Sequence, residues 1–286
     1  MTHPAQFSER TFEFAFNAHF AKRFKAVLLA VPNIPSQTAE GSCGFDAAFE
    51  VLMGGDYEVY YYQHKVASHV DVRSGSNKHI WAKTTGPYFH FRVDRDQYNL
   101  IRRLGTPSRI NPFSISIDYT SPRFWSYADL HDRFMKSRVM DHTVAINVQS
   151  CGYMSKGKHR MIYTAGGAIQ AWRFSEPSPA TARPVLGENG RAVGQRMTDC
   201  GPNALLDKVM AAVTRALASA RRYDEISQSR VARISDALGF IRQNRVADFD
   251  APGPERNERA ALLKLNYLLG NVLGLTALVA AAKAEE

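Results

Sequence analysis

Two β-prone stretches, FDAAFEVLM at residues 45–53 and YEVYYYQHKVA at 57–67, decide the fold, with Gly54-Gly55 between them. Valine and the aromatic residues of these stretches favour strands. A pair of glycines supplies the positive φ that a two-residue hairpin turn requires. The sequence therefore predicts two antiparallel strands joined at the glycine pair.

The register of this hairpin brings polar side chains together at its open end. If the turn falls at the two glycines, Asp46 lies opposite Gln63. Successive side chains of a strand point to opposite faces, so Asp46 shares a face with Gln63 and Lys65 while His64 points away. A carboxylate, an amide oxygen and an ammonium group are therefore expected to converge.

These groups suit the hydrolysis of a phosphodiester bond. A hard divalent cation such as Mg²⁺ or Mn²⁺ prefers oxygen ligands, which the side chains of Asp46 and Gln63 and the carbonyl of His64 can supply. The cation would lower the pKa of an attacking water, and Lys65 would stabilise charge in the transition state. The alternative is an exposed ion pair without a function, although the tyrosine-rich strand around Lys65 makes a bare pair costly.

Helices and strands on both sides of the hairpin predict an α/β protein. Ser8 is a candidate N-cap for a helix with apolar side chains at every fourth position, Phe12, Phe16, Phe20, Phe24 and Leu28. The order through residue 120 is then helix, three strands, helix, strand. Further predicted elements are strands over 87–93, 113–120, 143–150 and 159–164, and helices over 96–104 and around 126–136.

The C-terminal third has a different character. Prolines and glycines over 176–202 predict a linker between an α/β domain at 1–175 and a helical region at 203–286. The uncharged run at 265–282 is predicted to be a buried or dimer-forming helix, with a membrane-spanning helix as the alternative.

The charge balance indicates the class of partner. A formal net charge of +9 attracts polyanions, nucleic acid above all. The basic loop with Lys156, Lys158, His159 and Arg160 is a candidate phosphate-binding site. The alternative is an ordinary exposed loop before a strand.

Several other classes are disfavoured by what the sequence lacks. It contains no P-loop, GxGxxG, HExxH or GxSxG motif and no CxxC pair. Three scattered cysteines and the lack of an apolar segment at the N-terminus favour a cytoplasmic location.

The pattern Gly44-x-Asp46, hairpin, Gln63-x-Lys65 resembles the active-site motif of the PD-(D/E)xK nuclease superfamily. It is most similar to the Mrr-type restriction endonucleases, in which Gln replaces the usual acidic residue. The resemblance covers about residues 8–120. It implies a restriction-endonuclease-like core, α-β-β-β-α-β with a mixed sheet, followed here by a helical C-terminal region.

The resemblance also implies an activity and a set of roles. The activity is Mg²⁺-dependent cleavage of DNA rather than RNA, in restriction or another antiviral defence. Asp46 corresponds to the central metal ligand, Gln63 to the second ligand and Lys65 to the catalytic cation. In the family an early helix carries a metal-binding Glu, a place that Glu13 or Glu9 can fill.

Alternatives remain open at this point. Glu40, on the loop before the hairpin, is a rival to Glu9 and Glu13 for the metal site. The chain could instead be a non-catalytic nucleic-acid-binding protein on a nuclease-like fold, or a membrane-associated defence effector anchored by 265–282. A homodimer formed through the C-terminal helices would place two active sites on two DNA strands.

Overall fold

The protein is a mixed α/β structure. The computed structural model describes residues 1–25, 57–106, 117–149, 151–155, 157–174, 177–186, 195–197, 202–222, 228–243 and 276–281. The first strand of the predicted hairpin and its glycine turn lie outside these residues.

The chain divides into two compact units, each assembled from separate stretches. Unit 1 comprises Met1–Arg23, Gln63–Tyr98 and Asp118–Val193, and unit 2 comprises Phe24–Tyr62, Asn99–Ile117 and Gly194–Glu286. The helices are α1 Glu9–Arg23, α2 Lys78–Thr84, α3 Arg95–Leu104, α4 Tyr127–Met135, α5 Pro202–Arg222 and α6 Gln228–Gln243. The strands are β1 Thr2–His3, β2 Tyr57–His64, β3 Ser68–Val70, β4 Tyr88–Val93, β5 Ile117–Pro122, β6 Thr143–Asn147, β7 His159–Thr164, β8 Ala171–Phe174, β9 Ser178–Pro184, β10 Gln195–Met197 and β11 Thr276–Ala281.

Unit 1 is built on an antiparallel sheet in the order β1-β3-β4-β7-β8-β9-β6-β5. Its core is aromatic. The ring of Phe89 on β4 stacks on that of Tyr163 on β7 at 5.4 Å between centroids, and Phe91 approaches Tyr119 on β5 at 5.7 Å. The buried hydroxyl of Tyr163 donates to the carbonyl of Pro122 at 2.6 Å, which satisfies its polar end.

Helix α1 confirms the prediction made from its cap and its phenylalanine stripe. The Ser8 hydroxyl accepts a hydrogen bond from the Thr11 backbone N–H at 3.1 Å, as an N-cap does. Phe12, Phe16 and Phe20 are fully buried, so the stripe is core packing. The helix ends at Arg23, earlier than the prolines at 32 and 35 suggested.

Locally encoded elements are confirmed with small shifts in their ends. Strands β4 and β7 lie where the alternation predicts them, and β5 and β6 overlap their predicted ranges. Helices α3 and α4 also match. The structure adds β3 and α2 between the second and third predicted strands, which the predicted element order omits.

The predicted linker over 176–202 is wrong at Ser178–Pro184, which form β9. Residues 178–180 of this strand pair with β8 and residues 181–184 pair with β6. Among the described strands each half therefore has a single partner, and the missing N–H of Pro179 or Pro184 can fall on the unpaired side. Proline is compatible with a strand position that pairs on one side only, so its presence does not exclude a strand.

Unit 2 contains the apolar helices of the C-terminal region. Val209 and Val213 on α5 and Ile234 and Leu238 on α6 are buried, as their spacing predicts. The helix predicted over 265–282 is wrong at Thr276–Ala281, where β11 pairs antiparallel with β2. A short uncharged run fits a buried strand as well as a buried helix, and periodicity does not separate them.

Among the described residues, no helix has both the length and the apolar surface that crossing a bilayer demands.

Candidate active site

The candidate site lies at the end of β2, within unit 1. Gln63 and His64 are the last residues of β2, and Lys65 follows the strand. The backbone N–H of Lys65 donates to the carbonyl of Thr120 on β5 at 2.9 Å. This hydrogen bond holds the segment after β2 against β5, and it positions the Lys65 side chain at the start of α1.

The Lys65 ammonium forms an ion pair with Glu9. The distance from Nζ to Oε1 is 2.9 Å, and the Lys65 side chain is only 18% exposed. Glu9 is the first residue of α1, where the positive end of the helix dipole favours a carboxylate. The pair places one cation and one carboxylate together at the end of β2.

The Gln63 side chain contacts a different helix, α3, through Gln97. It is buried, and its Oε1 accepts a hydrogen bond from Nε2 of Gln97 at 2.8 Å. Its Nε2 donates to the carbonyl of His64 at 3.3 Å. These contacts fix the orientation of the amide, and Oε1 keeps a second lone pair for another donor or a cation.

The sequence placed Gln63 and Lys65 on one face of a continuous strand. In the structure β2 ends at His64, so the alternation of faces need not extend to Lys65. Gln63 contacts Gln97 of α3, whereas Lys65 contacts Glu9 of α1. The two side chains therefore reach different helices from neighbouring positions of the chain.

His64 is part of the packing around the site. Its Nδ1 and the hydroxyl of Thr120 are 2.6 Å apart. The rings of Phe12 and Phe16 lie 5.8 and 4.8 Å from the imidazole. Burial first and the nearby charge of Lys65 second lower the pKa of His64 to about 3, so its ring is neutral at neutral pH.

The other predicted site residues fall into two groups. Glu13, one helical turn after Glu9, is buried in α1. Asp46, Glu40 and Lys156 lie outside the described residues.

The basic loop is described from residue 157 onward. Lys158 and Arg160 are exposed. His159 is buried, and its Nε2 lies 3.0 Å from the carbonyl of Ser155. Two of its basic side chains therefore face solvent, while the imidazole stabilises the loop.

Within the described part of the chain, no three His, Cys, Asp or Glu side chains come close enough together to hold a metal ion. Oxygen donors that the structure describes at the end of β2 include the Glu9 carboxylate and the Gln63 side-chain oxygen.

The partner of Gln63 was missed from the sequence, although a signal for it exists. Asp94 and Gln97 are spaced as D-x-x-Q, a pattern that marks the start of a helix. In the structure the Asp94 carboxylate accepts from the Gln97 backbone N–H at 2.7 Å. The pattern locates Gln97 in the first turn of α3 but does not show that its side chain meets Gln63.

The chain matches no protein-family model, no curated protein and no solved structure.

Proposed function

We propose that the protein is a metal-dependent nuclease that hydrolyses phosphodiester bonds of DNA, on a restriction-endonuclease-like core. The observation that carries the proposal is the Lys65–Glu9 ion pair at the end of β2, the strand that carries Gln63. A lysine two residues after a glutamine, at the end of a strand and next to a helix carboxylate, is the arrangement that the sequence resemblance implies. Restriction or antiviral defence is the proposed biological role.

The donor set is compatible with a divalent cation but incomplete. The Glu9 carboxylate and the second lone pair of Gln63 Oε1 are oxygen donors of the kind that Mg²⁺ and Mn²⁺ prefer. In the proposal Asp46 supplies the central carboxylate, and Glu13 or Glu40 can add charge. When bound, the cation supplies Lewis acidity toward the phosphate and a more acidic water.

Lys65 and Glu9 have distinct tasks in this proposal. The ammonium of the largely buried Lys65 side chain offsets negative charge that develops on the phosphate as the bond breaks, and it does so more strongly than a fully hydrated cation would. Glu9 keeps that ammonium in place before substrate arrives, so less reorganisation is needed during the reaction. Gln97 fixes the amide of Gln63 in the same way.

Cleavage of a supercoiled plasmid tests the proposal. The wild type is expected to nick or linearise DNA with Mg²⁺ and to stop when EDTA is added. Asp46→Ala and Lys65→Ala are each expected to lose about 100-fold or more in rate. The matched control is Lys136→Ala, because Lys136, just after α4, also pairs with a carboxylate, that of Asp132, but both of these side chains are exposed.

The proposal is wrong if the wild type does not cleave with either Mg²⁺ or Mn²⁺. It is also wrong if Asp46→Ala and Lys65→Ala cleave as fast as Lys136→Ala.

A second candidate is a protein that binds nucleic acid without cutting it. It is favoured by the hydrogen bond that already occupies Gln63 Oε1 and by the lack of a three-residue metal cluster among the described side chains. It predicts oligonucleotide binding that survives EDTA, no cleavage under any metal, and no effect of Lys65→Ala on affinity.

A further inference from the structure

Two acid-free segments lie next to each other in the sheet of unit 1. No Asp or Glu occurs over 72–93 or over 142–175. The first segment contains α2 and β4, and the second contains β7 and β8. Because β4 pairs with β7 and β7 pairs with β8, the sequence places a carboxylate-free patch on this part of the sheet.

The outer face of this patch is divided between an apolar half and a basic half. Alternation puts Tyr88, His90 and Arg92 of β4 on one face, opposite Thr164, Ile162 and Arg160 of β7. Helix α2 covers the apolar half, where Ile80 packs in one cluster with Tyr88 and Ile162. The face that carries Phe89, Phe91 and Tyr163 forms the aromatic core.

The basic half centres on two arginines that lie directly opposite each other. Arg92 and Arg160 are register partners on β4 and β7, and both are exposed. Neither side chain forms an ion pair or hydrogen bond with any residue that the structure describes. Like charges at directly opposed positions destabilise a sheet, so packing gives no reason for this pair.

The surroundings keep both guanidinium groups available. Burial and then the charges of Arg160 and Arg92 lower the pKa of neighbouring His90 to about 4, so this imidazole is neutral at neutral pH and competes with neither arginine as a cation. Asp94, the carboxylate that follows β4 in the chain, accepts from the backbone N–H of Gln97 at the start of α3.

We propose that Arg92 and Arg160 together bind the phosphates of a polynucleotide backbone. Opposed residues of neighbouring strands have Cβ atoms roughly 5 Å apart, so their two guanidinium forks can meet on one phosphate or on two successive ones. Exposed Lys158, just before β7, extends the basic surface. The inference rests on the proposed function and identifies the surface that holds the DNA, separate from the groups at the end of β2.

Fluorescence anisotropy with a labelled oligonucleotide, single-stranded and duplex, tests this surface in EDTA, where cleavage does not interfere. Arg92→Gln and Arg160→Gln are each expected to weaken binding about tenfold and to reduce the slope of log Kd against log salt by about one. Arg138→Gln is the matched control, since it removes the same charge from an exposed arginine after α4.

Thermal unfolding separates loss of binding from loss of fold. Because like charges face each other, neither Arg92→Gln nor Arg160→Gln is expected to lower the Tm. If either glutamine variant does not fold, the double variant Arg92→Lys with Arg160→Lys keeps the charge but removes the forks, and it is expected to bind about threefold or more weakly than wild type.

The inference is overturned if the wild type binds neither oligonucleotide, or if the Arg92 and Arg160 variants bind as tightly as Arg138→Gln. It is also overturned if the lysine pair equals the wild type. These outcomes are distinct from failure of the nuclease proposal. Tight binding through the arginines without cleavage overturns only the nuclease, and cleavage at subsaturating DNA that is unaffected in Arg92→Gln overturns only this surface.

Discussion

The charged groups at the end of β2 and those on the outer face of β4 and β7 differ in burial and in pairing. Lys65 is mostly buried and is paired with Glu9, whereas Arg92 and Arg160 are exposed and face each other. A cation that the protein pairs internally is held in one place, which suits chemistry. A pair of cations without a counter-charge among the described residues suits a ligand that brings its own negative charge.

Apart from the loss of Lys65 or Asp46 themselves, the largest expected effects come from Glu9→Gln and Arg160→Gln, which change different measured quantities. Glu9→Gln removes the counter-charge of Lys65 and is expected to slow cleavage about tenfold or more while leaving the Kd for DNA within about twofold. Arg160→Gln is expected to do the reverse, weakening binding while the cleavage rate at saturating DNA is kept. Single-turnover kinetics on both variants measure the two effects. Equal changes in rate and affinity in both variants would remove the distinction.

The pH dependence of the free energy of unfolding, an effect of intermediate size, tests the burial of His64 beside the β2 site. Since the pKa of His64 is about 3 in the fold and about 6.5 in the unfolded chain, the unfolded state binds more protons between these values. This contribution to stability is complete above about pH 6.5 and falls as the pH drops toward 3, by up to roughly 1.4 kcal/mol per unit.

Urea unfolding of the wild type and His64→Gln at pH 7.5 and 4.5 measures this contribution. The loss of unfolding free energy between the two pH values is expected to be about 3 kcal/mol smaller in the variant. Other histidines with lowered pKa values, His19 and His90 among them, contribute equally to both proteins and cancel in the comparison. The same loss in both proteins would show that His64 is not held neutral.

Gln97→Leu tests the contact that orients the amide of Gln63. The variant leaves the buried Oε1 of Gln63 without its donor, which costs about 1–3 kcal/mol of unfolding free energy. Cleavage is expected to fall as well, because the amide is no longer held in one orientation. Gln149→Leu, a half-buried position on the segment after β6, serves as the control substitution. An unchanged stability and rate in Gln97→Leu would contradict the assigned role.

Ser8→Ala gives the smallest expected effect. It removes the hydroxyl that accepts from the Thr11 N–H, and loss of an N-cap costs about 1 kcal/mol. Because Glu9 follows the cap directly, fraying of this turn is also expected to loosen the Lys65 ion pair. A modest decrease in Tm with a slower cleavage rate fits this account. A slower rate with no change in Tm does not.

The two regions also differ in how much of their structure can be predicted from the sequence. Strands β4 and β7 and helix α3 were predicted because alternation and helical periodicity are local properties. The same local pattern predicts the strand that contains Gln63, but it extends that strand to residue 67, past the observed end at His64. The partners of Gln63 and Lys65 do not follow from this pattern, because Gln97 and Glu9 are distant in the chain and reach the site through the packing of α3 and α1.

The remaining differences have similar causes. The prolines led to the wrong prediction at β9. Proline is excluded only from strand positions whose N–H must pair with a neighbouring strand, and residues of β9 pair on one side. The pairing of Arg92 with Arg160 is set by the register of two strands separated by α3, β5, α4 and β6 along the chain. The sequence flagged Arg160 as part of a basic loop, but it gave no indication of Arg92.

Single-turnover cleavage of a labelled DNA duplex by Lys65→Ala, at saturating protein and with Mg²⁺, tests the central claim most directly. The account predicts that the wild type cleaves, that Lys65→Ala is slower by about 100-fold or more, and that both proteins bind the duplex with the same Kd. A Lys65→Ala variant that cleaves at the wild-type rate, or a wild type that binds without cleaving, would contradict it.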